Sequence, residues 1–457
     1  MQEHLPLNPV EPSVNRSQVT GYFYLLSLSL LLLGLAFGVL ASLQYVFPGL
    51  IREYLSFERT RPMHVSPVIF WIILTAAGTV FNYLSQHTHK PIYSKKLLLL
   101  SLGLFGATLL AIFVLYLNGI FGGREYWEFP PLLAIPIGLG WFLMILNFVL
   151  SLGSFRQQPV YIWMWITGFV FFLFTFLESY LWIFPYFRSH VVNDMTIQWK
   201  SYGSMVGCWN MLIYGSSIFL MDKITGNQRN SHSRIAFTLY YIGLFNLMFN
   251  WGHHIYTLPG HRFVQYISYG VSMTELLLLG RIIYHWRDTL TVAQKFFHRG
   301  SYRFLMAADA WIFLNLTLAI LMSVPAINLY THGTHVTVAH TMGTTIGINT
   351  MLLLAFVLDY CLEHNKEFNQ YNSWIRAGFW LANFGLLIFW ISFIAAGMFK
   401  SQWQMDANPA PFRVMMDSLR PFFISALVAG TCVAAGLEAI VIPALISLFK
   451  HRRQGPI

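Results

Sequence analysis

Long apolar runs alternate with short polar segments along the whole of this 457-residue chain. A helix rises about 1.5 Å per residue, so about twenty apolar residues cross the ~30 Å hydrocarbon core of a bilayer. Windows of that length predict twelve membrane-spanning helices, near residues 20–45, 63–86, 96–119, 130–153, 158–183, 200–222, 234–256, 263–286, 302–325, 333–362, 374–398 and 418–449. The connections are short, without internal repeat or low-complexity linker. The expected fold is therefore all-α, one twelve-helix membrane bundle over residues 1–457 with tails at 1–19 and 450–457.

Composition supports the bilayer as the main solvent. Hydrophobic residues make up 56% of the chain and charged residues only 10%, whereas a soluble protein carries about 25% charged residues. The net charge of +10 does not point to nucleic acid, because Lys and Arg sit between the apolar runs instead of forming one patch. They concentrate on alternate sides: Lys90/Lys95/Lys96, Lys223/Arg229/Arg234, Arg287/Lys295/Arg299/Arg303 and Lys450/Arg452/Arg453 share the side of both termini, and the opposite segment at 326–333 has none. Both termini are expected in the cytoplasm. Cys208, Cys361 and Cys432 are far apart, which excludes a disulfide framework, and no CxxCH attaches a c-type haem. The first twenty residues, with Glu3, Glu11 and Arg16, lack the basic start of a signal peptide, so the first apolar run is expected to remain as a helix.

Sixteen histidines stand out in such a chain, because imidazole in hydrocarbon needs a partner. His64 opens the second helix in Arg61-Pro62-Met63-His64-Val65-Ser66. His253 and His254 end the seventh, and His340 lies near the outer end of the tenth. A lone histidine at such a place is ordinarily interfacial or hydrogen-bonded. Here three helices present imidazole at one expected depth, which suits haem iron and a second metal. Met342 follows His340 by two residues, about 200° around a helix, so the two would face different metals. A thioether is a known axial haem ligand, but periodicity alone leaves packing as the simpler reading of Met342.

At these residues the chain resembles the large subunit of nitric oxide reductase, in the haem-copper oxidase superfamily. The similarity runs through Arg61 to Leu84, Gly123-Arg124-Glu125-Tyr126-Trp127-Glu128, Lys223-Ile224-Thr225-Gly226, Gly252-His253-His254, Thr274-Glu275 and His332-Gly333-Thr334-His335 to His340. It implies a low-spin haem b that passes electrons to a high-spin haem b paired with non-haem iron, in a bacterial or archaeal cytoplasmic membrane. By that resemblance His64 ligates the low-spin haem, His340 the high-spin haem, and His253 and His254 the non-haem metal. Glu275 matches a glutamate beside the active site, suited to proton handling, and Glu125 one that binds calcium. A solvated loop carboxylate is the other reading of Glu125.

Three departures change the expectation. Met342 stands where the family has the second low-spin histidine, implying His64/Met342 ligation and a higher-potential haem. Tyr202 stands where the third imidazole of the non-haem metal belongs, and Val206 and Asn210 replace glutamates one and two turns on. Two imidazoles without a carboxylate are short of anionic donors for ferrous iron. Tyr202 either ligates as a phenolate or fills the space of an absent metal. The chain is thus expected to carry two haems b and to be fed by a membrane-anchored cytochrome c subunit, since no long hydrophilic domain precedes the first helix. It would reduce NO or a related small ligand with altered or weakened activity. An electron-transfer or scaffold subunit that keeps both haems but lacks a functional non-haem metal centre is the alternative, a C-family-like oxygen reductase is a third, and a second homologous subunit is a further candidate partner. Transport is disfavoured by the lack of repeat symmetry.

Overall fold

The computed structural model describes residues 18–228, 231–274, 291, 294–295, 298–365, 367–370 and 372–453. Ten helices among the described residues are long and apolar enough to cross a membrane. The first five are α1 (Gln18–Val46), α2 (Phe57–Thr88), α3 (Lys95–Leu117), α4 (Ala134–Leu152) and α5 (Val160–Glu178). Next come α6 (Val191–Thr225) and the shorter α7 (Arg234–Phe249). After α8 (Arg299–Ser323), one span is assembled from α9 (His335–Met342), a π-helical segment (Gly343–Thr350) and α10 (Met351–His364). Helices α11 (Ser373–Met405) and α12 (Phe412–Arg453) complete the bundle. Serine, threonine and asparagine start several of them: Ser94 accepts from the Leu97 amide, Ser233 from Ala236, Thr334 from Val336 and Asn372 from Trp374, each satisfying one otherwise orphaned donor.

The helices pack chiefly in pairs, α1 with α2, α5 with α6 and α11 with α12. The interior is rich in large rings, with Trp71, Trp141, Trp165, Tyr24, Tyr83 and Tyr161 fully enclosed. Against α2, helix α1 offers Gly34 and Gly38. A methyl group on Gly34 would lie 2.7 Å from Val68 Cγ2, and one on Gly38 2.7 Å from His64 Nδ1. Small residues bring membrane helices into such close approach.

Three expected helices differ. Helix α6 begins at Val191 instead of near residue 200, extending the same face by more than two turns. The span expected at 234–256 is α-helical only to Phe249 and then tightens to a 3₁₀ segment, Asn250–Ile255. Gly252 is pressed against Ser268 there, whose hydroxyl donates to the Asn250 carbonyl at 2.8 Å. The span expected at 333–362 contains the π segment because Gly343 and Gly347 abut Asn315 and Trp311, and the Thr350 hydroxyl reaches back five residues to the Thr345 carbonyl at 2.8 Å. Of the span expected at 263–286, residues 262–274 are helical and the rest lie outside the described residues.

Candidate haem and metal centre

An internal cavity of about 380 Å³ lies between α1, α2, α6, α7, α8 and the α9–π segment. His64, Met342, His340, His253, His254 and Tyr202 all line it. The four imidazoles and Met342 are each only partly buried, because they face this internal space instead of packing shut.

Each of three imidazoles is anchored through Nδ1. His64 Nδ1 meets the Gly34 carbonyl at 2.7 Å. As that oxygen can only accept, Nδ1 carries the proton and Nε2 is left free as a ligand. His253 Nδ1 lies 3.1 Å from Asn250 Oδ1, and Ser272 donates to the same oxygen. His340 Nδ1 lies 3.3 Å from the Asn315 amide, which also binds the His340 carbonyl and the Thr344 hydroxyl. His254 is held by stacking on Trp199, with centroids 4.8 Å apart and planes 12° from parallel. The His253 and His254 rings are 4.2 Å apart, and His340 lines the same cavity.

Helix α6 supplies the opposite wall with Trp199, Tyr202, Val206 and Asn210, positions separated by three or four residues and hence on one face. Tyr202 meets Tyr126 edge-on at 5.3 Å. His332 approaches the same wall but contacts the far partner of the stack, with its ring edge-on to Trp199 at 6.5 Å. No three His, Cys, Asp or Glu side chains converge as a metal-binding group among the described residues. Glu275 lies outside the described residues.

The loop between α3 and α4 closes over this wall. Gly122 and Gly123 amides both donate to the Glu128 carbonyl at 3.1 Å, and the Trp127 amide to Arg124 at 2.9 Å. The turn leaves Tyr126 at φ 71°, an uncommon conformation for a bulky residue, with its ring toward the cavity. Burial pushes the Tyr126 phenol up to about 12. Arg61, one turn before His64, binds Glu125 at 2.6 Å and Glu128 at 2.8 Å. Burial raises the Glu128 carboxyl despite the lowering effect of Arg61. Glu125, expected at a calcium site, thus already shares a guanidinium with Glu128. Arg124 in turn binds Asp194 at 2.8 Å and lies over Trp182.

Arg61, Trp199, Asn250 and Asn315 were not singled out from sequence. Neutral amides and an interfacial arginine carry no periodic signal, and only the fold brings them to the imidazoles.

Fold and cavity together define a multi-pass, all-helical membrane protein whose interior presents imidazoles from several helices to one space. Residues 18–432 match the family described as Cytochrome C and Quinol oxidase polypeptide I. The chain belongs to that family, the subunit I family of the haem-copper oxidases. It is 22% identical to a nitric oxide reductase subunit of Stutzerimonas stutzeri, over 95% of this chain and 94% of the relative. Identity is also 22% to the Cbb3-type cytochrome c oxidase subunit CcoN1 of the same organism, over 89% of each chain. A cytochrome c oxidase subunit 1 homolog of Agrobacterium tumefaciens (strain T37) is again 22% identical, over 92% of this chain and 81% of the relative. Among solved structures, a haem-copper terminal oxidase dimer shares the fold with a TM-score of 0.72 at 15% identity, covering 95% of this chain and 84% of the other.

Proposed function

We propose that the chain is a nitric-oxide-reductase-like haem b subunit of a respiratory membrane complex, with twelve spanning helices and both termini in the cytoplasm. In this reading it takes electrons from a membrane-anchored c-type cytochrome subunit and reduces a small ligand, NO or a related species. The observation that carries the reading is the single cavity onto which His64, Met342, His340, His253 and His254 all open.

The residues present fit two haems b. His64 and Met342 would hold the low-spin group, and His340 the high-spin group. The haems, when bound, supply one-electron transfer and a ligand-binding iron. The protein's part is orientation: the Gly34 carbonyl fixes the His64 tautomer, Asn315 restrains His340, and Gly38 leaves room for the His64 ring. Met342 would give the low-spin haem a thioether ligand in place of a second imidazole, and so a higher potential, which would favour accepting electrons from the donor subunit.

The residues present do not fit the family's non-haem iron. His253 and His254 face a wall of Tyr202, Val206 and Asn210, and no carboxylate from α6 completes the set. Reduction of NO is therefore expected to be slow compared with an intact reductase. This same wall favours the second reading, an electron-transfer or scaffold subunit. Anaerobic NO consumption by the purified complex with a reduced c-type cytochrome separates the two. Slow turnover abolished by His253→Ala supports the enzyme, turnover unchanged by it supports the scaffold, and turnover at the rate of an intact reductase contradicts the assignment of an impaired site.

A further inference from the structure

A second cavity, of about 670 Å³, opens on the outside of the bundle between α8 and α11. It lies within the range of about 300–1,000 Å³ typical of ligand sites and is separate from the imidazole-lined space. Lys295, Arg299 and Arg303 line one end, and Trp311, Leu314, Trp380, Phe384 and Leu387 line the rest. Trp380 and Phe384 are 51% and 59% exposed, so the walls are open to the acyl region of the bilayer.

The basic end is crowded. Arg299 and Arg376 both act on the charge of Arg303, whose guanidinium lies over the Phe379 ring at 5.6 Å. Among the described residues no carboxylate lies within ion-pair distance of Arg303 or Arg376. Adjacent like charges at a membrane boundary are stabilised by an anion, and basic pockets between membrane helices are places where anionic headgroups bind.

The dimensions agree with one lipid leaflet. From Arg299 to Leu314, α8 rises roughly 22 Å. One leaflet provides about 15 Å of hydrocarbon plus about 6 Å of headgroup. Asn383, the amide in the groove, already accepts from Trp311 Nε1 at 2.9 Å and donates to the Phe379 carbonyl at 2.8 Å. Its hydrogen bonds are engaged, so the apolar part of the groove favours a hydrocarbon chain over a polar ring such as a quinone.

We propose that this groove is a binding site for one anionic glycerophospholipid, with its phosphate at Arg299, Arg303 and Arg376 and an acyl chain along Trp380, Phe384 and Leu314. The basic end is the end expected to face the cytoplasm, so the lipid belongs to the inner leaflet. The complex would be purified in detergent, stripped of loosely held lipid and exposed to phosphatidylglycerol or phosphatidylcholine of identical chains, with retained lipid per complex read by native mass spectrometry. About one phosphatidylglycerol beyond a groove-blocked Ala310→Trp variant is expected. Arg303→Gln and Arg376→Gln should each weaken retention about five-fold, the equivalent of ~1 kcal/mol per basic residue. Haem content of each variant, read on the same sample, identifies any that misfolds. Equal retention in the charge variants and the parent would overturn the proposal, as would equal retention of phosphatidylcholine, or a quinone displaced by Ala310→Trp in place of a phospholipid.

Discussion

Replacing Gly38 by alanine tests the low-spin haem assignment at the point where the fold leaves least room. The added methyl would lie 2.7 Å from His64 Nδ1 and 2.8 Å from Cε1. Non-bonded atoms settle near 3.5 Å, so the imidazole must retreat by ~0.8 Å or α1 must move away from α2. Metal–ligand distances tolerate only about 0.2 Å, and the retreat also disturbs the bond from Nδ1–H to the Gly34 carbonyl. Overpacking of this kind costs about 1–3 kcal/mol, enough to weaken ligation without preventing insertion of the chain. The assay is the reduced-minus-oxidised optical spectrum of the purified complex, with haem per chain by pyridine haemochrome. The low-spin signal should fall or turn high-spin while the haem assigned to His340 persists. An unchanged low-spin spectrum in a stably expressed Gly38→Ala variant would refute the placement of His64 as its ligand.

Met342→His should convert the low-spin haem to two imidazoles and lower its midpoint potential, read by redox titration; an unchanged potential would remove Met342 from the ligand set. The double change Tyr202→His with Val206→Glu should raise total iron by about one equivalent per chain over its haem iron, because three imidazoles and a carboxylate make a conventional ferrous site. Lys223 binds Asp359 at 2.5 Å and Glu363 at 2.6 Å, with Asp359 1% exposed. Lys223→Met removes the cation those two carboxylates share and leaves them the neutral donors Tyr83 and Gln86, at a cost of about 3–5 kcal/mol, seen as loss of folded protein in detergent-solubilised membranes; normal yield and melting temperature would count against a buried triad. Arg61→Gln should cost about 1 kcal/mol through Glu125, whose side chain is 40% exposed, and more through Glu128, only 13% exposed, read as a fall in melting temperature that Glu125→Gln alone does not reproduce.

The features legible in the sequence are those that a continuous helix fixes by itself. Tyr202, Val206 and Asn210 keep a regular register from Trp199, so counting back from the paired histidines places them on the face that does line the cavity. Ten of the twelve expected spans were legible for a similar reason, since a bilayer demands length and apolarity of each segment separately, and ten helices among the described residues meet that demand. Backbone departures were not. The 3₁₀ corner at Asn250–Ile255 depends on Ser268, and the π segment on Asn315 and Trp311, none of them sequence neighbours. The anchors of the imidazoles were hidden too: a glycine carbonyl and two asparagines are chemically inconspicuous until packing brings them to Nδ1. The pairing of Arg61 with Glu125 and Glu128 joins residues more than sixty positions apart, so Glu125, expected either at a calcium site or solvated in its loop, instead shares a guanidinium.

One chain is expected to hold two haems b beside a third metal position to which α6 brings no carboxylate. Haem b and total iron per chain, measured together on the purified native complex after subtracting any partner's contribution, test it most directly. Two haems b and less than one further equivalent of iron are expected. A single haem b, or two with a full equivalent of non-haem iron, would contradict it.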